Sequence, residues 1–196
     1  VLLGAGYDAR AYRFHDELAG RPVYEVDLAA TSRRKANIVE RNRSHFPDSN
    51  VHRVEIDFET DSLPDTLLAA GFARGALTFV VWEGVIMYLT RAAIKATVGA
   101  LHDLCGPGSM VAMDCWFLVD HPGPLGSMRR AAPGAIALIG EPVTFAMHPE
   151  DMADFLRRLD YEVVDLADAA ELEKRYCTDG RTVEPSMFVV CARRFT

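Results

Sequence analysis

The chain has 196 residues, 49% hydrophobic and 25% charged, the balance of a single folded domain with one core rather than of a disordered or low-complexity polypeptide. A formal net charge of −7 speaks against a broad phosphate-binding surface, so nucleic acid is not an expected partner. No apolar run reaches membrane-spanning length and no secretory leader opens the chain. The four cysteines, Cys105, Cys115, Cys177 and Cys191, form no CxxC pair, which argues against a metal site or a disulfide framework and for reduced thiols in a cytoplasmic protein.

In chain order, the residues "VLL" at 1–3 read as a strand running into Gly4-Ala5-Gly6. Three residues are few for a buried strand, so a segment upstream of residue 1 is expected to complete this region. Residues 9–19 read as a helix with Asp8 at its cap. "PVYEVD" (22–27) is a second strand, and 31–43 a polar helix whose Arg33, Arg34 and Lys35 read as a solvated face. "VHRVEIDF" (51–58) alternates as a third strand, and 64–71 is a short helix with Pro64 in its first turn.

"ALTFVVWEG" (76–84) is nearly continuous apolar sequence, as in a strand covered on both faces. A helix at 91–104 ends at "GPG", and "SMVAMDCWF" (109–117) is the fifth strand. After a Pro- and Gly-bearing stretch, 149–159 reads as a helix, and "YEVVDL" (161–166) and "SMFVVCARR" (186–194) as the last strands. No long crossover helix is evident between these two, which predicts that the final strand runs antiparallel. The alternation implies an α/β fold: a mostly parallel sheet with an antiparallel last strand and helices on both faces.

Ligands of such sheets bind at the carboxyl edge, where strand order reverses. Gly4 and Gly6 lie there, between a strand and a helix, and allow a sharp turn and close approach to a ligand. With Ala9 the loop also fits the dinucleotide pattern GxGxxA. Asp27 ends the second strand 21 residues after Gly6, placed either to accept from both ribose hydroxyls or to cap the following helix. Loop and acid together point to an adenosine-containing cofactor and leave nicotinamide and S-adenosylmethionine both open. Asp57, at the tip of the third strand, is placed to accept from an adenine amine, and the Phe58 amide to donate to the ring. This second acid and the antiparallel last strand favour the sulfonium cofactor.

Four blocks, "LGAGYDARAYR" (3–13), "YEVDLAATSRRK" (24–35), "VEIDF" (54–58) and "WEGVIMYLT" (82–90), resemble in order the leucine carboxyl methyltransferase family, especially its bacterial branch of S-adenosyl-L-methionine-dependent enzymes. "GEPVTFAMHPEDMADFLRRLDYEV" (140–163) is similar to a late segment of that branch. The resemblance implies a class I methyltransferase with a Rossmann-like sheet, here one domain (1–196) without the family's amino-terminal lid helices. It implies S-adenosyl-L-methionine as cofactor, with Gly4 and Gly6 around the methionine part, Asp27 on ribose, Asp57 and Phe58 on adenine, and Glu83 facing the amino-acid moiety. Arg10 belongs to the first motif and helps place that region. The family's Asp-Thr-Arg reads Asp8-Ala9-Arg10 here, one hydroxyl fewer.

Methyl transfer to a carboxylate needs no general base, whereas transfer to a hydroxyl does. Tyr88, His121 and His148 are the candidate catalytic residues; no metal is implied. The expected acceptor is a small molecule or an exposed carboxyl group, with no nucleic acid or membrane partner. The alternatives are an NAD(P)-dependent oxidoreductase, and a degenerate cofactor-binding domain without turnover.

Overall fold

The protein is described from a computed structural model over residues 1–48, 50–117 and 144–195. Its strands are β1 (Leu2–Leu3), β2 (Val23–Asp27), β3 (Val51–Glu55), β4 (Phe79–Trp82), β5 (Met110–Trp116), β6 (Tyr161–Asp168) and β7 (Met187–Arg194). Helices α1 (Arg10–Arg13), α2 (His15–Leu18), α3 (Ala29–Arg41), α4 (Leu63–Ala69), α5 (Arg91–Leu104), α6 (Pro149–Arg157) and α7 (Ala169–Tyr176) connect them. The sheet runs β3-β2-β1-β4-β5-β7-β6. Strands β1 to β5 pair in parallel, while β7 is antiparallel to both β5 and β6, as expected of the last strand.

Strand alternation sorts side chains onto two faces. One face of the sheet, with Val26, Val80 and Trp82, packs on α4, α5 and α6 through Leu67, Ile94 and Leu156 in the larger core. The other face, with Leu2 and Val23, packs on α1 and α3 through Ala11, Tyr12 and Val39. Ser62 caps α4 by accepting from the Asp65 amide, and Thr90 caps α5 by accepting from the Ala93 amide at 3.1 Å. Strand order reverses between β1 and β4, so the carboxyl edge there is the geometric position for a ligand. No helix among the described residues is long and apolar enough to cross a membrane.

Five local details differ from the sequence expectations. The helix expected at 9–19 breaks at Phe14 into α1 and α2, and Ala19 closes it in the left-handed region (φ 49°). Asp8 is not its cap: Ala9 holds that position, and the Asp8 carboxylate accepts from the Arg10 amide in a two-residue turn. Lys35 does not lie on a solvated face. It is 5% exposed and meets Glu25 (2% exposed) at 2.8 Å, a charge contact without aligned hydrogen-bond geometry, whereas Arg33 stays outside and pairs with Glu55. Strand β4 is covered fully on one face only, since Phe79 is 54% exposed. A helix, α7, does form between β6 and β7, because the Asp168 carboxylate accepts from the Glu171 amide at 2.9 Å.

Candidate functional site

The chain leaves β1 by folding back on β2: the amides of Gly4 and Ala5 both donate to the Val26 carbonyl, at 2.8 and 3.0 Å. Gly4 takes φ +66°, and a Cβ there would lie 2.0 Å from Val85 Cγ2, so no larger residue fits between this loop and the one after β4. Gly6 (φ +42°) differs: a Cβ would meet only the Gly4 carbonyl oxygen, at 3.8 Å, so the space above it is open. Its amide donates to Asp27 Oδ2 at 2.5 Å, and the Leu28 amide donates to Asp27 Oδ1 at 2.7 Å. Asp27 is therefore tied to the glycine loop and does not cap α3, whose cap position is Leu28 without a side-chain bond.

Asp27 pairs in register with Glu55 on β3, and the Ile56 amide donates to the Asp27 carbonyl at 2.9 Å. This register puts Asp57 on the strand tip adjoining that of Asp27. The Asp57 carboxylate turns into its own loop and accepts from the Glu59 amide at 2.9 Å, while its amide donates to Asp61. The Phe58 ring stacks on Trp82, with centroids 6.3 Å apart. The carboxylate of Glu59 in turn accepts from the Thr90 amide at the start of α5, linking this loop to the next.

After β4, Glu83 is engaged by Arg10: Nη2 meets Glu83 Oε2 at 2.5 Å, and Nη1 of the same guanidinium meets Asp8 Oδ2 at 3.1 Å. Asp8, Arg10 and Glu83 line, with Gly4, Gly6 and Tyr7, a cavity of about 500 Å³. The next residue, Gly84 (φ +71°), donates its amide to Asp114 Oδ1 at 2.8 Å. Burial raises the Asp114 carboxyl above the ordinary carboxylate range, against the opposing pull of that amide.

Tyr88 ends a 3-10 turn (Ile86–Tyr88), half-buried. That turn is pinned from outside: the Thr144 amide donates to the Met87 carbonyl at 2.8 Å and its hydroxyl to the Leu89 carbonyl. His148 is exposed at the start of α6, with its ring 5.4 Å from that of Phe117. His121 lies outside the described residues. Among the described residues no group of three or more His, Cys, Asp or Glu side chains is placed to hold a metal ion.

The structure joins Gly6 with Asp27, and Arg10 with Glu83, while Asp57 is brought only to the neighbouring strand tip. Sequence inspection passed over Asp8 as a partner of Arg10, Val85 as the stop against Gly4, and Asp114 as the support of the β4 loop. For Asp114 a signal was present: a lone acid inside the apolar run "MVAMDCW".

A family model described as leucine carboxyl methyltransferase matches residues 1–102. A Mycobacterium ulcerans protein named "Putative S-adenosyl-L-methionine-dependent methyltransferase" is 33% identical over 180 residues, covering 90% of this chain and 58% of that protein. The chain thus spans little more than half the length of this relative. Among solved structures, an S-adenosylmethionine-dependent methyltransferase from Mesorhizobium loti matches with a TM-score of 0.67 at 14% identity, over 98% of this chain and 89% of that one. Magnesium protoporphyrin IX methyltransferase from Synechocystis, with bound SAH, matches with a TM-score of 0.58 at 11% identity, over 98% of this chain and 72% of that one. At such identities the likeness is one of fold, the Rossmann-like sheet with an antiparallel seventh strand, and the nicotinamide alternative draws no support from these matches. With more than half of its residues matched by that family model, the chain belongs to the leucine carboxyl methyltransferase family.

Proposed function

We propose that residues 1–196 form one S-adenosyl-L-methionine-dependent methyltransferase domain, which transfers a methyl group to a carboxylate or hydroxyl oxygen of a small molecule or an exposed carboxyl group. The observation that carries this is the placement of Asp27. Its carboxylate accepts only main-chain amides, one of them from the open Gly6 loop, and no cation neutralises it among the described residues. An acid so placed has lone pairs left for two ribose hydroxyls. The residues present fit the cofactor: the space over Gly6 is open, Glu83 supplies an acid for an ammonium, and the Asp57–Phe58 turn adjoins Asp27 for the adenine.

Bound there, S-adenosyl-L-methionine supplies an electrophilic methyl group on a sulfonium. The chain's part is to hold that group against the acceptor, since positioning can account for much of such an acceleration. A carboxylate acceptor arrives already charged. A hydroxyl acceptor calls on a base, for which Tyr88, His121 and His148 are the candidates.

Calorimetric titration with S-adenosylmethionine, S-adenosylhomocysteine and NADH tests this. Binding of the two adenosyl-sulfur ligands is expected, and binding of NADH alone would overturn the assignment. Tight binding without methyl transfer to any oxygen acceptor would favour a degenerate domain. Alkaline treatment of a labelled product separates the acceptors, because a methyl ester releases methanol and a methyl ether does not.

A further inference from the structure

Helix α1 is a single turn without a side-chain cap, too short to hold itself in water, so its place is set by what it packs against. Successive helical residues step by about 100°, which puts Arg10 and Tyr12 on nearly opposite sides of that turn. The Arg10 side, with Asp8 and Ala9, lines the cavity, whereas Tyr12 stays out of the lining and is buried in the core on the other face of α1. There its ring meets Phe46 edge-on, with centroids 4.9 Å apart, and its hydroxyl accepts from Arg53 Nη2 at 2.6 Å. Arg53 lies on β3 in register with Glu25 on β2, and its Nε is 3.8 Å from one Glu25 oxygen. The other Glu25 oxygen meets Lys35 of α3 at 2.8 Å. A single chain of contacts thus runs from α1 through β3 and β2 to α3. Two residues beyond Glu25 on the same strand stands Asp27, whose carboxylate holds the Gly6 amide. Burial and the Glu25 charge raise the Tyr12 pKa, so its hydroxyl remains a neutral partner for the guanidinium.

We propose that Tyr12 and Arg53 are positioning residues for the glycine loop: the hydroxyl–guanidinium bond, braced by Glu25 and Lys35, fixes α1 and thereby holds loop 4–10 in the shape that accepts the cofactor. Past Gly6 the main-chain bonds of the loop are local, from the Asp8 amide to the Ala5 carbonyl and from the Arg10 amide to Asp8. Its far end is therefore held by α1 and by the partly exposed ion pair of Arg10 with Glu83, a contact of small worth by itself. An anchor buried behind the sheet does not compete with ligand or water at the front. The assignment rests on the methyltransferase function proposed above and adds two residues that govern affinity without touching the ligand.

Tyr12→Phe removes the hydroxyl and keeps the ring against Phe46, so it provides the test. Calorimetry with S-adenosylhomocysteine, on protein shown to be folded by its urea curve, is expected to give a dissociation constant about fivefold above that of the wild type. Arg53→Met should do the same. The double variant should also lose about fivefold, rather than the roughly 25-fold of independent sites, because both changes break one bond. Arg53→Lys keeps the charge without the fork and should retain part of the affinity, which protects the test if Arg53→Met is poorly folded. Hydrogen exchange should quicken at the Tyr12 and Arg13 amides, which donate to the Ala9 carbonyl, in ligand-free Tyr12→Phe and slow again when S-adenosylhomocysteine binds. A lower urea midpoint with an unchanged dissociation constant would overturn the assignment and leave the methyltransferase proposal standing. So would a double variant weakened by the full product of the two single losses. Failure of the wild type to bind S-adenosylhomocysteine would overturn the methyltransferase proposal itself, and this inference with it.

Discussion

The carboxylate of Asp27 accepts the Gly6 amide at 2.5 Å, joining the tip of β2 to the glycine loop that follows β1. One side chain thereby shapes the loop and offers its remaining lone pairs to the space in front of it. Hydrogen bonds to a charged group contribute roughly 1.5–3 kcal/mol each. Asp27→Ala should weaken S-adenosylhomocysteine binding by at least about tenfold in calorimetry. An unchanged dissociation constant would reduce Asp27 to a tether for the loop.

Gly4 and Gly6 both sit in the left-handed region but in different surroundings. Gly4→Ala must displace Val85 as well as adopt an unfavourable φ, and should destabilise the fold by about 2–4 kcal/mol from overpacking and backbone strain together. Gly6→Ala meets open space and should lose only about 1–2 kcal/mol from its backbone, with its larger effect on ligand binding. Urea denaturation of the two variants measures the contrast. Equal losses would mean that the Val85 contact yields freely.

Lys35 and Glu25 are buried together beneath α3, with Arg53 3.8 Å from the second Glu25 oxygen. Removing one partner strands the other charge, so Lys35→Met should cost about 3–5 kcal/mol of stability. The double variant Lys35→Met with Glu25→Leu removes both charges and should recover much of that loss, apart from what Arg53 forfeits. A double variant no more stable than Lys35→Met would show that Glu25 serves mainly Arg53.

Burial raises the Asp114 carboxyl, and the sign of its linkage follows. Its folded pKa lies above the unfolded value, so between the two the folded state holds more protons. Stability from this group is therefore greatest at low pH and falls as pH rises through that window. Asp114→Asn still accepts from the Gly84 amide but does not ionise. Its urea midpoint should fall less than that of the wild type between pH 4 and pH 7. Parallel curves for the two proteins would show that Asp114 titrates as though exposed.

Local signals carried much of the fold. The glycine loop, the acid ending β2 and Pro64 in the first turn of α4 are short-range patterns, and each lies where its pattern indicated. What escaped the sequence depends on distant partners. Lys35 looks solvated until β2 brings Glu25 beneath it, and the ion pair of Arg10 with Glu83 exists only because β4 delivers that acid to the first motif. Phe79 reads as core because it lies in an apolar run, yet covering a face takes an element beyond the strand itself. The exception is α7, whose D-x-x-E capping signature at Asp168–Glu171 is a local signal within an otherwise polar segment.

The direction of β7 has a practical side. It starts beside Trp116 at the ligand edge and runs away from it, so that Arg194 donates to the Ser109 carbonyl and Phe195 to that of Asp160, at the far rim of the sheet. Eight extended residues separate those rims by about 24 Å. A fluorophore or affinity handle attached beyond Arg194 would therefore report on this protein, or immobilise it, without crowding the glycine loop.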